Sequence, residues 1–512
     1  MTIIQVFFFE LNRAGVRYVH FKSNTELDAS FAGRGDFDIL VGDDDFKRFE
    51  SILTQFGARR FETVKEKRYP YVCSWLIYDM ICARIYHIHL HKRLVTGKEY
   101  VKDYVIPWHD LLLDTRILDP KWNIYIAEPT LELILLAARA VVKSKSYDRK
   151  NAKRGEYRLH KDLNKERLEL QDKLDSDKLA HYCELLFPDK DCSCVIDFSR
   201  KEEVDSGLFL KLSQFIRENL AAARRMSPLI AEIKSRVHSF SFDLKRRFVS
   251  KYDASIIAKK VMENHKGLIV ALVGVDGSGK STNVKVLSKW LGSQVDCKSY
   301  FMGEGSGKTG KLVGTLKKLV RANSKSIVNT YKKAYEANAG SVMNKSASLI
   351  RKQRTDAILR ALIVVLVQRR NKKLLKKMDR YRRKGGVSFT DRYPQMESPR
   401  MNDGLKVEKY LEKYPSSLIL KLFQKLETAA VRKSIRIKPD VVFRLNISSQ
   451  TSMMRKPDQR NIAEYQEKID RLKEITFNNS YILDVDAEQP YEKELLLLTK
   501  NIWALLTEGG NA

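Results

Sequence analysis

The residues best suited to chemistry form a glycine-rich segment that follows an apolar run. Ile269–Val273 reads as a buried strand, and the chain continues as Gly274-x-x-x-x-Gly279-Lys280-Ser281 into a predicted helix, 283–291. Glycines let backbone N–H groups turn toward phosphate oxygens, a lysine adds positive charge, and a serine hydroxyl at a helix N-terminus can bind Mg²⁺. The pattern predicts a nucleotide site with Ser281 as a metal ligand. Its predicted members are Gly274, Asp276, Gly277, Ser278, Gly279, Lys280, Ser281 and Thr282.

An acidic residue and an arginine follow a later apolar run. Val387–Thr390 is predicted to be a strand, and Asp391 and Arg392 come directly after it. Ligands of open α/β sheets bind at the carboxyl ends of strands. Asp391 is therefore a candidate to hold Mg²⁺ or to accept a proton, and Arg392 a candidate to clamp a phosphate. A strand-end salt bridge is the alternative.

A short basic segment near the carboxyl end contains two further candidates, Arg455 and Arg460. It lies between a predicted strand, 441–445, and a helix. Such a segment suits a lid whose arginines close over phosphates and exclude water. A solvated basic turn is the alternative.

The composition favours an anionic partner. The chain has 512 residues, 43% hydrophobic and 31% charged, as in ordinary globular proteins, with a net charge of +31. Residues 308–384 hold 23 Lys and Arg against three acidic residues. This stretch is interpreted as the solvent-exposed face of long helices, with Leu316, Leu319 and Ile358–Val367 on the buried side. No aromatic stacking pattern accompanies it, so nucleic-acid binding is not favoured.

Other sequence signals point to the cytoplasm. Six cysteines show no metal-ligand spacing and are expected to be reduced. The apolar start has no basic lead-in, and Ala361–Val367 is too short to span a bilayer. We expect no membrane span, and a homodimer is possible.

The pattern divides the chain into three blocks, which predict an α/β protein. Residues 1–140 mix short strands and helices, 141–265 have helical spacing and read as a connector, and 266–508 alternate strands with long helices. The last block predicts a doubly wound parallel sheet. Its predicted strands are Leu268–Val273, Cys297–Met302, Val387–Thr390, Val441–Leu445 and Tyr481–Asp484.

The first block carries a second set of candidate ligands. In an extended strand Asp36 and Asp38 face the same way, and paired carboxylates can bind Mg²⁺. A solvated strand end is the alternative. His87, His89 and His91 share a face of another predicted strand, about 7 Å apart. They could bind a metal or an anion, or form an exposed polar strand face.

The last block resembles the thymidylate kinase family over roughly residues 266–508. The resemblance is carried by Gly274–Thr282, Asp391-Arg-Tyr393, Pro439–Leu445 and the basic segment at 455–460. It implies ATP as donor, Mg²⁺, and an acceptor similar to a nucleoside monophosphate. It also makes Lys280, Asp391, Arg392, Arg455 and Arg460 the expected catalytic residues.

The acceptor side departs from that family. Gly277 stands where some members carry an arginine, which is why the basic segment is expected to supply the arginines. Pro394–Asn402 replaces an element that holds the base, and Gly303–Gly307 replaces the second-strand motif. The dTMP nucleotide is therefore a possible but unfavoured acceptor.

Residues 1–120 resemble the nucleotidyltransferase fold, and in particular the nucleotidyltransferase-like modules that occur joined to thymidylate kinase-like domains. The residues that carry this resemblance are Lys22-Ser-Asn24, Asp36-x-Asp38, the histidine run and Ile106-Pro-Trp108. The resemblance implies that Asp36 and Asp38 are catalytic and hold the metal. A third carboxylate is missing from the later strand, so either His89 substitutes, metal binding is altered or catalysis is lost. Asp79 is a weak stand-in.

Three functions remain open from the sequence. The favoured one is ATP-dependent phosphoryl transfer to a small anionic acceptor. The second is nucleotidyl transfer by the first block, with the last block auxiliary. The third is an ATP-gated protein that binds nucleic acid or another polyanion.

Overall fold

The chain forms two compact units, Met1–Glu263 and Asn264–Ala512. The computed structural model describes residues 1–248, 261–262, 266–303, 311–336, 347–399, 401, 404–456 and 462–508. Among these residues, no helix is both long enough and apolar enough to cross a membrane.

The second unit is built on a five-stranded parallel sheet. Its strands are β11 (Ile269–Gly274), β12 (Cys297–Phe301), β13 (Val387–Asp391), β14 (Val441–Asn446) and β15 (Ile482–Asp486). They lie in the order β12-β13-β11-β14-β15, and every pairing is parallel. Strand β11 is central and fully buried, as its unbroken apolar run predicts. The chain reverses its direction of winding beside β11, so the carboxyl ends of β11 and β13 flank the place where such sheets bind ligands.

Helices connect these strands and cover the sheet. They are α12 (Lys280–Gly292), α13 (Lys311–Glu336), α14 (Ala347–Arg382), α15 (Glu408–Lys413), α16 (Leu418–Ser434), α17 (Ser449–Arg455), α18 (Ile462–Glu474) and α19 (Tyr491–Glu508). Helices α13 and α14 pack through Val313, Leu316, Val320, Ile363 and Val367. Leu316 is thus buried as predicted, whereas the same prediction was wrong for Leu319, which is 50% exposed.

The first unit contains an eight-stranded mixed sheet and a small two-stranded one. The eight-stranded order is β10-β3-β4-β5-β2-β1-β9-β8, and β6 pairs with β7. Strands β2 and β5 run parallel at its centre. The strands are β1 (Tyr18–His20), β2 (Asp36–Val41), β3 (Arg59–Glu62), β4 (Val72–Asp79), β5 (Arg84–His91), β6 (Val95–Thr96), β7 (Tyr104–Val105), β8 (Ile117–Asp119), β9 (Ile124–Ile126) and β10 (Val261–Met262).

Eleven helices complete the described part of the first unit, with short 3₁₀ turns at Asn24–Glu26 and Lys65–Lys67. The helices are α1 (Ile3–Arg13), α2 (Leu27–Phe31), α3 (Phe46–Gln55), α4 (His109–Asp114), α5 (Pro129–Lys143), α6 (Ser146–Lys153), α7 (Lys161–Gln171), α8 (Ser176–Leu186), α9 (Ser193–Arg200), α10 (Ser206–Asn219) and α11 (Pro228–Phe248).

Two apolar cores stabilise this unit. One lies between the sheet and helices α1 and α3 and contains Phe7, Phe37 and Phe49. The other surrounds α5, whose residues from Thr130 to Val142 are all buried. Helices α7 to α10 pack around α5 in that second core. The helical block predicted at 141–265 therefore shares a core with residues before it.

Candidate functional site

The phosphate loop of the second unit connects β11 to the first turn of α12. Gly277 has φ +85°, in the left-handed region that favours glycine. An added Cβ at Gly274 would lie 2.3 Å from Ser278 Oγ and 2.9 Å from the Leu445 carbonyl oxygen. Ser278 is itself buried inside the loop. The glycines are thus required by backbone conformation and close packing, and the loop presents the N-terminus of a 13-residue helix.

Lys280 lies buried at the start of α12. Its Nζ donates to the Val275 carbonyl oxygen at 2.7 Å and lies 3.5 Å from Ser278 Oγ. Burial, together with the nearby Arg392 guanidinium, lowers the pKa of Lys280 to about 8. The ammonium group is therefore still mostly charged at neutral pH, at the position where a phosphate-binding lysine is expected.

Ser281 and Asp391 come together although they are far apart in sequence. The Ser281 hydroxyl donates to Asp391 Oδ2 across the gap between α12 and the end of β13. Asp391 is 3% exposed, and its Oδ1 atom has no hydrogen-bond partner among the residues that the structure describes. A hydroxyl and a carboxylate oxygen are hard ligands of the kind that Mg²⁺ prefers. This pair fits the predicted magnesium site.

Arg392 adopts φ +74°, an unusual conformation for a residue with a side chain. Its backbone N–H donates to the Leu272 carbonyl oxygen at 3.0 Å, which ties it to β11. Its Nη2 atom lies 3.5 Å from Asp276 Oδ1, and Lys456 Nζ lies 3.9 Å from the same oxygen. Asp276 therefore holds two cations at the mouth of the loop.

Helix α17 covers the loop from the other side. Ser452 Oγ donates to the Asp276 carbonyl oxygen at 2.6 Å. Arg455 Nη1 lies 3.5 Å from the Gly277 carbonyl oxygen, and both Arg455 Nη atoms lie 3.3 Å from that of Ala487. Arg455 is therefore beside the phosphate loop. Arg460 lies outside the described residues, as do residues 304–307 of the segment Gly303–Gly307 that replaces the second-strand motif.

These groups line one cavity of about 600 Å³. Sequence reasoning did not nominate Phe301, Lys406 or Lys456. Lys456 is next to a nominated arginine, whereas Phe301 and Lys406 carry no motif that would identify them. The lining residues are Asp276, Gly277, Gly279, Lys280, Ser281, Thr282, Phe301, Asp391, Arg392, Lys406, Arg455 and Lys456.

The segment after Asp391 is held by its own contacts. Tyr393 is buried, and its hydroxyl donates to the Ile437 carbonyl oxygen. Gln395 Nε2 donates to the carbonyl oxygens of Ser398 and Met401, each at 2.7 Å. Tyr393 and Gln395 therefore hold the segment after Asp391 in place through contacts within the protein.

In the first unit, the predicted Asp36, Asp38 and histidine ligands meet on one face of the sheet. The parallel register pairs Asp36 with His87 and Asp38 with His89. His87 Nδ1 lies 2.6 Å from Asp36 Oδ1, and His89 Nδ1 lies 3.4 Å from Asp38 Oδ1. His87 and His91 are buried, so the exposed-face interpretation does not hold for them.

Asp38 differs from Asp36 in its partners. Lys22 Nζ lies 2.9 Å from Asp38 Oδ1, and His91 Nε2 lies 3.3 Å from the same atom. Burial by itself would raise the pKa of Asp38, but Lys22 and the two histidines hold it well below its usual value. Burial lowers the pKa of His91 to about 4. Asp38 is thus an ionised carboxylate with its charge compensated by Lys22.

The turn after β1 has carboxylate partners of its own. The Ser23 backbone N–H donates to Glu166 Oε1 at 3.0 Å, and that of Asn24 donates to Glu132 Oε1 at 3.2 Å. Both glutamates are buried. The backbone donors of Ser23 and Asn24 are therefore bound by protein carboxylates. Asp79 accepts from the backbone N–H of Ile3 at 2.9 Å and does not join the histidine cluster.

Comparisons with known proteins give partial likenesses. No family model matches the chain. It is 27% identical over 241 residues to the uncharacterized ATP-binding protein YghS of Escherichia coli K12, covering 47% of this chain and 94% of that one. It is 28% identical over 235 residues to the uncharacterized ATP-binding protein YghR of the same strain, covering 44% of this chain and 83% of that one. The solved structure of a deoxyadenosine kinase from M. mycoides aligns with a TM-score of 0.26 and 12% sequence identity. The alignment covers 46% of this chain and 98% of that one.

Proposed function

We propose that the second unit is an ATP-dependent phosphotransferase that acts on a small phosphorylated acceptor, such as a nucleoside monophosphate. The observation that carries this proposal is the convergence of Lys280, the Ser281–Asp391 pair, Arg392 and Arg455 on one cavity. The names of the two Escherichia coli relatives, both described as ATP-binding proteins, support the donor.

In the proposed donor site, a few groups bind the ATP phosphates and the metal ion. The loop N–H groups and Lys280 bind the β- and γ-phosphates, and Lys280 exchanges its Val275 carbonyl contact for a phosphate oxygen. Ser281 and Asp391 are the groups that would hold Mg²⁺, which screens phosphate charge when bound. An acceptor oxygen attacks the γ-phosphorus, the bond to the β–γ bridging oxygen breaks, and ADP leaves.

The cations at the cavity mouth suit two anionic substrates. Arg392 and Lys456 lie near Asp276, while Arg455 reaches the phosphate loop from α17. A transferring phosphoryl group gains stabilisation from positive charge placed before the reaction starts. The same charge favours an acceptor that carries its own phosphate. The segment Pro394–Asn402 replaces the element that holds the base in the thymidylate kinase family, which supports an acceptor other than dTMP.

A transfer assay tests this proposal. Purified chain is incubated with Mg²⁺, ATP labelled at the γ-phosphate, and a panel of nucleoside and sugar monophosphates that includes dTMP. We expect label on at least one acceptor and a loss of at least about 100-fold in Lys280→Ala, because the phosphate-binding charge is removed. Lys285→Ala is the matched control, since Lys285 is exposed one turn further along α12.

Two results would overturn it. One is label transfer that persists in Lys280→Ala. The other is label from α-labelled ATP on an acceptor, lost in Asp36→Ala and kept in Lys280→Ala, which would assign nucleotidyl transfer to the first unit. Protein carboxylates bind the Ser23 and Asn24 backbone N–H groups, which would have to be released before they could bind a phosphate, and this argues against the second outcome.

A further inference from the structure

We infer that Asp36, His87 and His89 form a site for a divalent transition metal, of which Zn²⁺ is the reference ion, and that this site does not select Mg²⁺. The site lies in the first unit, and its ligand set differs from the carboxylate pair expected from sequence. It is independent of the nucleotide site proposed for the second unit.

The geometry comes from the parallel pairing of β2 and β5. One ligand atom from each of Asp36, His87 and His89 can be chosen so that all lie within 4.8 Å of one another. His89 Nδ1 is 3.9 Å from Asp36 Oδ2, while His87 Nδ1 is 2.6 Å from Asp36 Oδ1. Zinc bonds of about 2.0–2.2 Å place neighbouring ligand atoms roughly 3–3.5 Å apart, so small side-chain rotations suffice.

The ligand types select the class of metal. Two imidazoles and one carboxylate favour zinc, iron, nickel or copper, whereas Mg²⁺ takes oxygen ligands and keeps much of its water. The second carboxylate is not equally available for a cation, because Lys22 lies 2.9 Å from Asp38 Oδ1. Asp38 Oδ1 also lies 3.4 Å from His89 Nδ1 and 3.3 Å from His91 Nε2.

The cluster is open on one side. The side chain of His87 is 1% exposed, that of His89 29% and that of Asp36 42%. All three line a cavity of about 490 Å³, whose wall also includes Arg60, Lys67 and the ion pair of Arg68 with Glu62. Three protein ligands leave coordination positions free in a tetrahedral or larger site. Arg60 and Lys67 add positive charge to this wall, which favours a phosphate- or carboxylate-bearing molecule at the open position.

Metal binding by the intact chain tests the inference. The protein is stripped with a chelator, freed of nucleotide, and titrated with Co²⁺ and Zn²⁺ while absorption and heat are recorded. We expect one equivalent of Co²⁺ with visible d–d bands and no thiolate charge-transfer band, displaced by Zn²⁺ and not by millimolar Mg²⁺. Asp36→Asn and His89→Gln, both at partly exposed positions, should weaken binding by at least about 10-fold.

The matched control is His160→Gln. His160 is exposed and lies 3.7 Å from Asp162, so it reproduces a histidine–carboxylate pair outside the cluster, and its loss should leave binding unchanged. The inference is overturned by absence of one-equivalent binding, by unchanged affinity in Asp36→Asn and His89→Gln, by equal competition from Mg²⁺, or by a thiolate band, which would assign the metal to cysteines such as Cys73 on the cavity wall.

Discussion

At the scale of single residues, the site depends on positions where only one residue type satisfies both backbone and neighbours. Gly277 combines φ +85° with tight contacts, since an added Cβ would lie 3.1 Å from the Ser452 carbonyl oxygen and 3.3 Å from Arg455 Cβ. An arginine here, as in some thymidylate kinases, would need both the loop and α17 to move. The structure thus gives a steric reason why the phosphate loop carries glycine at position 277 while the arginine, Arg455, is on α17.

Gly277→Ala is expected to destabilise the second unit by about 1–2 kcal/mol and to weaken ATP binding, because alanine is strained at this φ and pushes against α17. Gly314→Ala is the control. Gly314 lies inside α13 with no atom within 4 Å of the added Cβ, so its replacement should raise stability by up to about 1 kcal/mol. Thermal unfolding of each variant without ATP measures its stability, and the shift in melting temperature on adding ATP measures its ATP binding. Equal effects of the two substitutions would contradict the steric argument.

Sequence predicts the phosphate-loop residues because their chemistry demands fixed local spacing. Gly274 through Thr282 run from the last residue of β11 through a short loop into the first turn of α12, so the pattern and the structure coincide. The Ser281–Asp391 hydrogen bond joins residues 110 positions apart, and only the sheet register brings them together. Phe301 and Lys406 could not be predicted, because their place in the cavity depends on how distant loops pack.

At the scale of elements, the strands of the second unit were predicted to within one or two residues. Buried parallel strands are short apolar runs bounded by polar residues, and this signal is local. The parallel sheet follows from the alternation with helices, whereas the order of the strands comes from the structure alone. The helices of the first unit were harder to interpret, because helical spacing in α7 to α10 does not reveal that they pack around α5.

Helix α5 ends in an unusual group of cations. Lys22, Lys102, Arg139 and Lys143 line one small cavity, and neither Lys102 nor Lys143 forms an ion pair with an acidic residue in the part of the chain that the structure describes. Burial, with the neighbouring positive charges, lowers the pKa of Lys143 to about 6 and that of Lys102 to about 8. Such a cluster costs stability in the absence of an anion.

Lys143→Met is expected to stabilise the first unit at pH 7. Between the folded pKa of about 6 and the unfolded value of 10.5, the unfolded chain binds more protons, so stability contributed by this site rises with pH. The methionine removes that cost, and we expect a gain of about 1–2 kcal/mol at pH 7 that shrinks toward pH 10. Calorimetric unfolding at both pH values measures it.

Lys145→Met is the matched control, since Lys145 is exposed two residues further on and should show no such pH dependence. A lower melting temperature for Lys143→Met at pH 7, or the same gain at pH 7 and pH 10, would contradict the burial argument. If inorganic phosphate stabilises the unsubstituted chain but not Lys143→Met, an anion relieves the free-energy cost of burying this lysine.

At the scale of the whole molecule, each unit carries its own cores and its own cluster of chemical groups. The described residues of the phosphate loop, α17 and the end of β13 all belong to the second unit. Those of the histidine cluster belong to the first. The net charge of +31 is consistent with anionic ligands in both, yet it could not identify them from the sequence, because charge is not specific.

The most direct test of the central claim is a calorimetric titration of the intact chain with ATP and Mg²⁺. We predict binding of one ATP per chain and an affinity at least about 100-fold weaker in Lys280→Ala, with Lys285→Ala unchanged. No measurable binding of ATP, or equal affinity in Lys280→Ala, would contradict the account.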